Sequence, residues 1–250
     1  MSDFAWYELM TPDVTAAVAF YGAVTGWTGQ AFGPDYTVLS VGSAGVGGVM
    51  ALSPEMAAAG AKPGWLGYIG VEDVDAAAAK LRQAGGAVHR PPGDIPNVGR
   101  FAVVADPQGA VFMLFKGLPA EPPPRPAPGT PGTIGWHELH AADGDTALAF
   151  YAGMFGWAKT ETMDMGPMGS YHLFAAGAAP IGGVMTKTEA ELPPYWLFYF
   201  AVENIDAAIA RVAAQGGTVV NGPHQVPGGS WIIVGIDPQG VRFALVGPRA

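Results

Sequence analysis

The stretch "WYELMTPDVTAAVAFYGAVTGW", residues 6 to 27, places one carboxylate, Glu8, in a short apolar run that leads into an amphipathic one. A second stretch, "WHELHAADGDTALAFYAGMFGW", residues 136 to 157, repeats Trp, Glu, Leu, Asp, two Ala, Phe, Tyr, Gly and Trp at the same spacing. Two copies of one strand-helix pattern in a single chain indicate an internal duplication. The repeated glutamate makes each copy a candidate functional site.

The duplication extends through the later part of each half. Residues 65 to 117, laid without a gap on residues 196 to 248, share 21 identities in 53 positions. These include the tetrad "DPQG" at 106 to 109 and again at 237 to 240. The chain is therefore predicted to be a tandem repeat of one domain.

A proline-rich segment separates the two copies. Residues 117 to 133 read "GLPAEPPPRPAPGTPGT", and their seven prolines disfavour helix and central strand and favour an extended chain. We therefore predict one domain at 1-117, a linker at 118-132 and a second domain at 133-250.

Each half also contains a weaker repeat of its own. The pattern "W...DV.AA" occurs from Trp6 and again from Trp65. Apolar residues recur at helical spacing after each copy, and Asp13, Asp73 and Asn204 stand where helix N-caps are expected. Glycine-punctuated β-like runs follow each helix, two of them joined by Asp-Pro-Gln-Gly, which suits a type I turn. The pattern predicts an α+β fold of four β-α-β-β-β units, whose paired sheets enclose a ligand cavity.

Composition excludes several classes of function. The formal net charge is -9 with 12 Lys plus Arg, which disfavours nucleic-acid binding because that affinity depends on neutralising phosphates. The chain has no Cys, which removes disulfides and thiolate metal sites. No apolar run approaches the about 20 residues that a membrane span needs. We expect a cytoplasmic protein whose partner is a small molecule rather than nucleic acid or a membrane.

Several of these motifs together resemble the vicinal oxygen chelate superfamily. The motifs are the repeated β-α-β-β-β unit, "AFY...GW" after the first strand, "GGVM" at 47 to 50 and 182 to 185, and "DPQG...F". That superfamily includes glyoxalase I, the extradiol dioxygenases and the bleomycin resistance proteins. The resemblance implies tandem glyoxalase-like domains, each built from two βαβββ units with concave mixed sheets. It also implies a monomer whose internal duplication replaces a dimer contact.

The resemblance implies four metal-ligand positions in each half. Metal-dependent members bind a divalent ion through His and Glu side chains on four strands. Those positions correspond here to Trp6, Leu66, Met113 and Gly48 or Met50, and in the second half to Trp136, Leu197, Ala244 and Gly183 or Met185. None of these side chains is a good ligand for a hard ion. We therefore predict no metal and no other cofactor, with a divalent-metal-dependent site as the alternative.

The polar groups that remain suggest a different chemistry. Side chains two apart on a strand share a face, so Glu8 lies on the face of Trp6, while Glu138 and His140 lie together. The resemblance implies that this face lines the cavity. Glu8, Glu138 and His140 are accordingly the candidate catalytic residues, acting as general acids or bases. The alternative is that each glutamate only accepts structural hydrogen bonds.

Other residues are candidates for holding a ligand. The predicted ligand-binding residues, taken from the positions that the resemblance places on the cavity face, are Trp6, Tyr68, Met113, Trp136, Tyr199 and Arg242. The alternative for the aromatic residues is core packing, and for Arg242 an ion pair with Glu138. The histidines His89 and His224 are expected in loops.

Three functions fit these residues. The first is a glyoxalase-like enzyme acting on a small carbonyl or oxygenated metabolite, with Glu8 or Glu138 as the base. The second is a non-catalytic protein that sequesters an aromatic or apolar compound. The third is a metal-dependent lyase or dioxygenase. His140 and Arg242 favour the second half for chemistry, because the first half has Met10 and Val111 at the equivalent positions.

Overall fold

A computed structural model describes residues 2–118, 126–127 and 129–249. Residues 119–125 and 128 of the predicted linker at 118-132 lie outside the described residues. Within the part of the chain that is described, no helix is both long and apolar enough to cross a membrane.

The first half contains two βαβββ units joined by a short helix. Its elements in chain order are β1 Phe4–Thr11, α1 Val14–Thr25, β2 Thr28–Ala31, β3 Tyr36–Val41, β4 Ala44–Ala51, α2 Pro54–Ala58, β5 Gly64–Gly70, α3 Val74–Gln83, β6 Ala87–Ile95, β7 Gly99–Ala105 and β8 Val111–Gly117. The helix α2 is the joining element, and it begins after the N-cap Ser53.

The second half repeats this plan. Its elements are β9 Ile134–Ala141, α4 Gly144–Phe155, β10 Ala158–Asp164, a 3-10 turn Gly166–Met168, β11 Ser170–Ala175, β12 Pro180–Thr186, β13 Tyr195–Ala201, α5 Ile205–Ala214, β14 Thr218–Gln225, β15 Trp231–Ile236 and β16 Arg242–Gly247. Residues 187 to 194 connect its two units without a helix.

Local signals set where the helices begin and end. The side chains of Asp13, Asp73 and Asn204 each accept a hydrogen bond from the backbone N–H three residues later, which confirms them as N-caps. The helices α1 and α4 end at Gly26 and Gly156, whose φ angles of 83° and 73° lie in the left-handed region that favours glycine.

The strands form two eight-stranded mixed sheets, which confirms the predicted α+β class. Their orders are β2-β3-β4-β1-β5-β8-β7-β6 and β10-β11-β12-β9-β13-β16-β15-β14. The first strand of each βαβββ repeat pairs in parallel with the last strand of the same repeat, as β1 does with β4 and β5 with β8. The remaining pairs within each unit are antiparallel.

The prediction of loops around His89 and His224 was wrong. His89 lies in β6 and His224 in β14, the outermost strands of the two sheets. Both strands are mostly exposed, and the register of each shifts twice against its neighbour. Their sequences therefore lack the alternation of apolar and polar residues from which a strand is predicted. Backbone pairing with the neighbouring strand holds such an edge strand whatever its side chains are.

Contacts group the chain into two compact units that differ from the sequence repeat. Unit 1 comprises Met1–Trp6, Leu66–Glu121 and His137–Trp196, and unit 2 comprises Tyr7–Trp65, Pro122–Trp136 and Leu197–Ala250. Unit 1 and unit 2 therefore each contain one βαβββ repeat from the first half of the chain and one from the second half. The domain boundaries predicted from the repeat, at 1-117 and 133-250, stay a prediction.

The tetrad Asp-Pro-Gln-Gly helps to hold unit 1 together. The turn forms as predicted, with the Gly109 N–H donating to the Asp106 carbonyl. The Asp106 carboxylate also accepts a hydrogen bond of 3.2 Å from the Tyr151 hydroxyl, and the indole N–H of Trp196 donates to that hydroxyl oxygen at 3.1 Å. Burial raises the pKa of both Asp106 and Tyr151. A residue of the first half thus anchors two residues of the second.

Unit 2 contains the reciprocal arrangement. The Tyr21 hydroxyl donates to the Asp237 carboxylate at 3.1 Å, and the Trp65 indole donates to the Tyr21 oxygen at 3.0 Å. The side chain of Gln239 accepts from the Asp13 N–H and donates to the Asp13 carbonyl, so the tetrad also fastens the start of α1. Both Asp-Pro-Gln-Gly tetrads therefore have a structural role.

Candidate functional site

The pairing of β9, β12 and β11 places Glu138, His140 and Tyr171 on one face within unit 1, and this group is here called the Glu138 site. On β9, Glu138 and His140 are two residues apart and share a face. The parallel strand β12 pairs Gly183 with Glu138 and Met185 with His140, and β11 pairs Tyr171 with Met185. Directly paired residues point to the same face, so the Tyr171 side chain lies on the face of the carboxylate.

Hydrogen bonds join three of these side chains. His140 Nε2 lies 2.8 Å from Glu138 Oε1, and the Tyr171 hydroxyl donates to Glu138 Oε2 at 2.8 Å. The side chains of His140 and Glu138 are only 13% and 12% exposed, so water screens the pair weakly. An ionised carboxylate can only accept, so Nε2 carries a proton in that state, and in the neutral imidazole the lone pair is on His140 Nδ1. Within the described residues, no hydrogen bond engages Nδ1.

Two glycines make room for this arrangement. A Cβ on Gly183 would collide with the ring and the hydroxyl of Tyr171, and one on Gly182 would collide with the His137 carbonyl. The motif "GGVM" therefore lets Tyr171 lean across β12 toward Glu138. The sequence carried a signal for this tyrosine, since Tyr36 occupies the equivalent position of the first half.

A fourth residue, Tyr195, covers the imidazole. Its ring stacks on His140 with centroids 4.5 Å apart and planes 6° apart. The Tyr195 hydroxyl donates to Glu189 Oε2 at 3.1 Å, and Lys187 Nζ donates to the Glu189 carbonyl at 3.1 Å. Sequence reasoning missed Tyr195 because the first half has Gly64 in its place and no repeat drew attention to it.

The Glu8 site, in unit 2, has the same arrangement of glutamate, glycine and tyrosine, here called the frame, but it has no histidine at the position of His140. Glu8 is buried and pairs with Gly48 across β1 and β4, and a Cβ on Gly48 would collide with the Tyr36 hydroxyl. Met10 stands where the second half has His140, and it pairs with Met50. The face of β1 that carries Glu8 therefore presents thioether and phenol groups but no second titratable side chain at position 10.

The ligand-binding candidates of the first half lie in an apolar cluster of unit 1. Tyr68 and Met113 pair across β5 and β8, and they pack with Phe101 in a buried cluster against which the half-buried Trp6 also lies. Tyr68 and Met113 are 5% and 3% exposed. The structure thus brings Trp6, Tyr68 and Met113 together, and their ligand-binding role stays a prediction.

The candidates of the second half other than the Glu138 site lie in unit 2. Tyr199 is buried on β13 and pairs with Ala244, while Trp136 and Arg242 are half-buried on β9 and β16. Arg242 pairs with Ile236 at the start of β16. Their roles also stay predictions.

The donor set does not fit a divalent ion. Among the described residues, no group of three His, Asp or Glu side chains is placed to hold a metal. The positions that the family resemblance assigns carry apolar side chains such as Trp6, Leu66 and Met113, which offer a hard ion no lone pair. Glu138 and His140 supply two donors, and these are bonded to each other.

Two further histidines have structural partners. His137 faces away from Glu138, donates through Nδ1 to the Ile181 carbonyl at 2.7 Å and stacks on Phe4. Burial lowers the pKa of His137 to about 4, so the ring is neutral at pH 7. His172 is buried on β11, with Nε2 3.1 Å from an Asp145 oxygen.

Known proteins share this architecture over its whole length. The family model described as Glyoxalase/Bleomycin resistance protein/Dioxygenase superfamily matches residues 3–114 and again 133–245. The Mn(II)-bound glyoxalase from Novosphingobium aromaticivorans superposes with a TM-score of 0.70 at 16% identity, covering 100% of this chain and 84% of that one. A 2,2',3-trihydroxybiphenyl 1,2-dioxygenase from Sphingomonas wittichii superposes with a TM-score of 0.68 at 13% identity, covering 98% and 90%. At these identities the superpositions show a shared fold.

Two named relatives are more similar in sequence. A Mycobacterium tuberculosis protein with the provisional name glyoxylase CFP32 is 33% identical over 252 residues, which cover 97% of this chain and 94% of the relative. The anthracycline biosynthesis protein DauV from a Streptomyces species is 32% identical over 269 residues, covering 97% and 92%. With the family model matching both halves, the chain belongs to the Glyoxalase/Bleomycin resistance protein/Dioxygenase superfamily.

Proposed function

We propose that this protein is a glyoxalase-like enzyme that transfers a proton on a small carbonyl or oxygenated metabolite, without a divalent metal. His140 is the base, and Glu138 is the residue that positions it. The observation that carries this proposal is the chain of two 2.8 Å hydrogen bonds from Tyr171 through Glu138 to His140, in which the Glu138 and His140 side chains are largely withdrawn from water.

The geometry favours His140 over Glu138 as the proton acceptor. Both oxygens of Glu138 already accept hydrogen bonds, one from His140 and one from Tyr171. With Nε2–H directed at the carboxylate, Nδ1 can take a proton from a carbon next to a carbonyl, and the carboxylate then stabilises the imidazolium that forms. The proton returns from Nδ1 to the same carbon or, in an α-hydroxy carbonyl, to the former carbonyl carbon while the hydroxyl proton moves to the former carbonyl oxygen, so the reaction needs no oxidant.

The preference for metal-free chemistry rests on the donor groups. Catalytic zinc sites hold the ion with three protein ligands, and the positions that the resemblance assigns are apolar in both halves. A positioned base requires only the pair observed here. Elemental analysis of protein purified without chelator tests this part: near-stoichiometric Zn, Ni, Mn or Fe would contradict it.

Hydrogen–deuterium exchange tests the proton transfer directly. The hemithioacetal of methylglyoxal and the aromatic ketone 2-tetralone both carry hydrogens next to a carbonyl, and NMR in D2O follows their replacement by deuterium. We expect the protein to accelerate exchange on at least one compound. Glu138→Gln and His140→Gln should each lower that rate about 10²- to 10⁴-fold, the usual contribution of a positioned base. His224→Gln, which changes an exposed histidine of unit 2, should leave the rate unchanged.

Two results would contradict the proposal. One is exchange that survives both Glu138→Gln and His140→Gln, because another group would then be the base. The other is an absence of exchange on both compounds under conditions in which the protein is folded by circular dichroism.

A second candidate function is binding without turnover. The Glu8 site favours it, because Met10 replaces the imidazole there while the frame around the glutamate is retained. The name of the relative DauV, an anthracycline biosynthesis protein, supports an aromatic ligand. Binding of an aromatic compound without any exchange in the protein would favour this function over the first.

A further inference from the structure

The face of unit 1 that carries His140 also carries a row of methionine and tyrosine side chains. Met163 on β10 pairs with Tyr171 on β11, Tyr171 pairs with Met185 on β12, and Met185 pairs with His140 on β9. Directly paired residues of neighbouring strands project from the same face. Met163, Tyr171 and Met185, here named the methionine row, therefore lie side by side and end at the imidazole.

We propose that the methionine row is the binding platform for a planar aromatic ligand whose polar group lies at His140. The proposal names the substrate class of the site described above and rests on His140 being its reactive end. The row itself could bind such a ligand whether or not proton transfer occurs.

The dimensions of the row suit a fused ring system. Strands about 4.8 Å apart set three neighbouring side chains along about 10 Å. Met163 and Tyr171 are half-buried, so part of each surface is accessible, while Met185 is buried between Tyr171 and His140. The missing side chain at Gly183 leaves space that the Tyr171 ring enters, which turns that ring toward Glu138.

The chemistry of the row selects an aromatic ligand over other apolar ones. Thioether sulfur makes favourable contacts with aromatic rings, and methionine side chains adapt to a flat surface because they are unbranched. The Tyr171 ring adds a stacking surface. The hydrogen-bonded pair of Glu138 and His140 stands at one end of the row, so a ligand with one polar substituent would place that substituent there.

A matched pair of ligands tests the platform. 2-Naphthol is planar and aromatic, whereas decahydro-2-naphthol has the same carbon skeleton and hydroxyl but is saturated and puckered. Isothermal titration should give 2-naphthol an affinity at least about fivefold higher. Met185→Ala and Met163→Ala should each remove most of that difference. Met154→Ala changes a half-buried methionine of α4 outside the row and should keep it.

The outcomes separate this proposal from the proposed function. Equal affinities for the two ligands, no measurable binding of 2-naphthol, or a preference that survives both methionine changes would overturn the platform. If Met185→Ala does not fold, the partly exposed Met163 carries the test. A preference for 2-naphthol without proton exchange would sink the proposed enzyme alone, and exchange without the preference would sink the platform alone. His140→Gln should lower the exchange rate about 10²- to 10⁴-fold and retain the aromatic preference.

Discussion

The Glu8 site and the Glu138 site are two versions of one frame. Both place a buried glutamate opposite a glycine, and both use the space above that glycine for a tyrosine ring. Two of the positions at which they differ are Met10, which corresponds to His140, and Gly64, which corresponds to Tyr195. What the two halves share is the packing of the frame, and what they do not share is the imidazole and the ring stacked on it.

This difference distinguishes the two interpretations of the repeated glutamate, a structural role and a catalytic one. A buried carboxylate that pairs with a glycine beneath a tyrosine ring can be retained in both halves for packing alone, because buried polar groups must be satisfied. The imidazole of His140 adds a titratable group to that frame in one half only. The residues that repeat in both halves therefore indicate shared packing, and His140, which does not repeat, indicates the candidate catalytic group.

The largest effect is expected when the Glu138 site is converted to the pattern of the Glu8 site. His140→Met keeps the volume and removes the base, so exchange should fall about 10²- to 10⁴-fold while the protein stays folded. Glu8→Gln, tested in parallel by the same NMR assay, should change the rate less than about twofold. Equal losses from the two variants would mean that both sites take part in the chemistry.

Stability should also depend on pH through a residue that only the second half contains. His137, where the first half has Tyr7, has a pKa lowered from 6.5 to about 4 by burial. The unfolded chain binds a proton there that the folded protein does not, so stability present above pH 6.5 should be lost as the pH falls toward 4. The loss from this residue should be about 3 kcal/mol.

Urea unfolding at a series of pH values measures this loss. His137→Gln should flatten the slope between pH 6.5 and 4, because the amide can donate to the Ile181 carbonyl but does not titrate. His224→Gln, on an exposed residue, should leave the slope as it is. A slope unchanged by His137→Gln would show that other groups cause the pH dependence.

The glycines under the two tyrosines provide a smaller, symmetric test of the shared frame. Gly183→Ala and Gly48→Ala each force a tyrosine ring aside, so each should lower the free energy of unfolding by about 1–3 kcal/mol in urea titrations. Only Gly183→Ala should also slow exchange, because it displaces Tyr171 from Glu138. Similar losses of exchange in both variants would argue that the tyrosine ring above the glycine matters equally in the two halves.

Local patterns predicted most of the fold. The helix starts at Asp13, Asp73 and Asn204 and the turn at Asp106 depend on side chains within a few residues, so the sequence alone identifies them. The edge strands around His89 and His224 could not be predicted in this way, because their pairing with β7 and β15 is a matter of backbone hydrogen bonds.

The site was predictable only where it lies on one strand. The period of two along β9 placed Glu138 beside His140, as the structure shows. Tyr171 and Tyr195 come from β11 and β13, and their positions depend on strand register and on the connection at residues 187 to 194, which no local pattern reports. Choosing His140 rather than Glu138 as the base also required knowing that both oxygens of Glu138 already accept hydrogen bonds.

The smallest expected effect concerns the ring that the first half lacks. Tyr195→Phe removes the hydrogen bond to Glu189 but keeps the stack on His140, so exchange should fall no more than about threefold, in keeping with a net loss below 1 kcal/mol. Tyr195→Gly, which reproduces Gly64, removes the stack and should lower the rate further because the imidazole plane is no longer held. A pH–rate profile distinguishes positioning from simple loss of stability, since an imidazole that moves changes its hydrogen bond to Glu138 and the profile shifts. If both variants keep the rate and the profile of the original protein, the stacked ring contributes nothing to the site, and of these two differences between the halves only that of Met10 and His140 then bears on the chemistry.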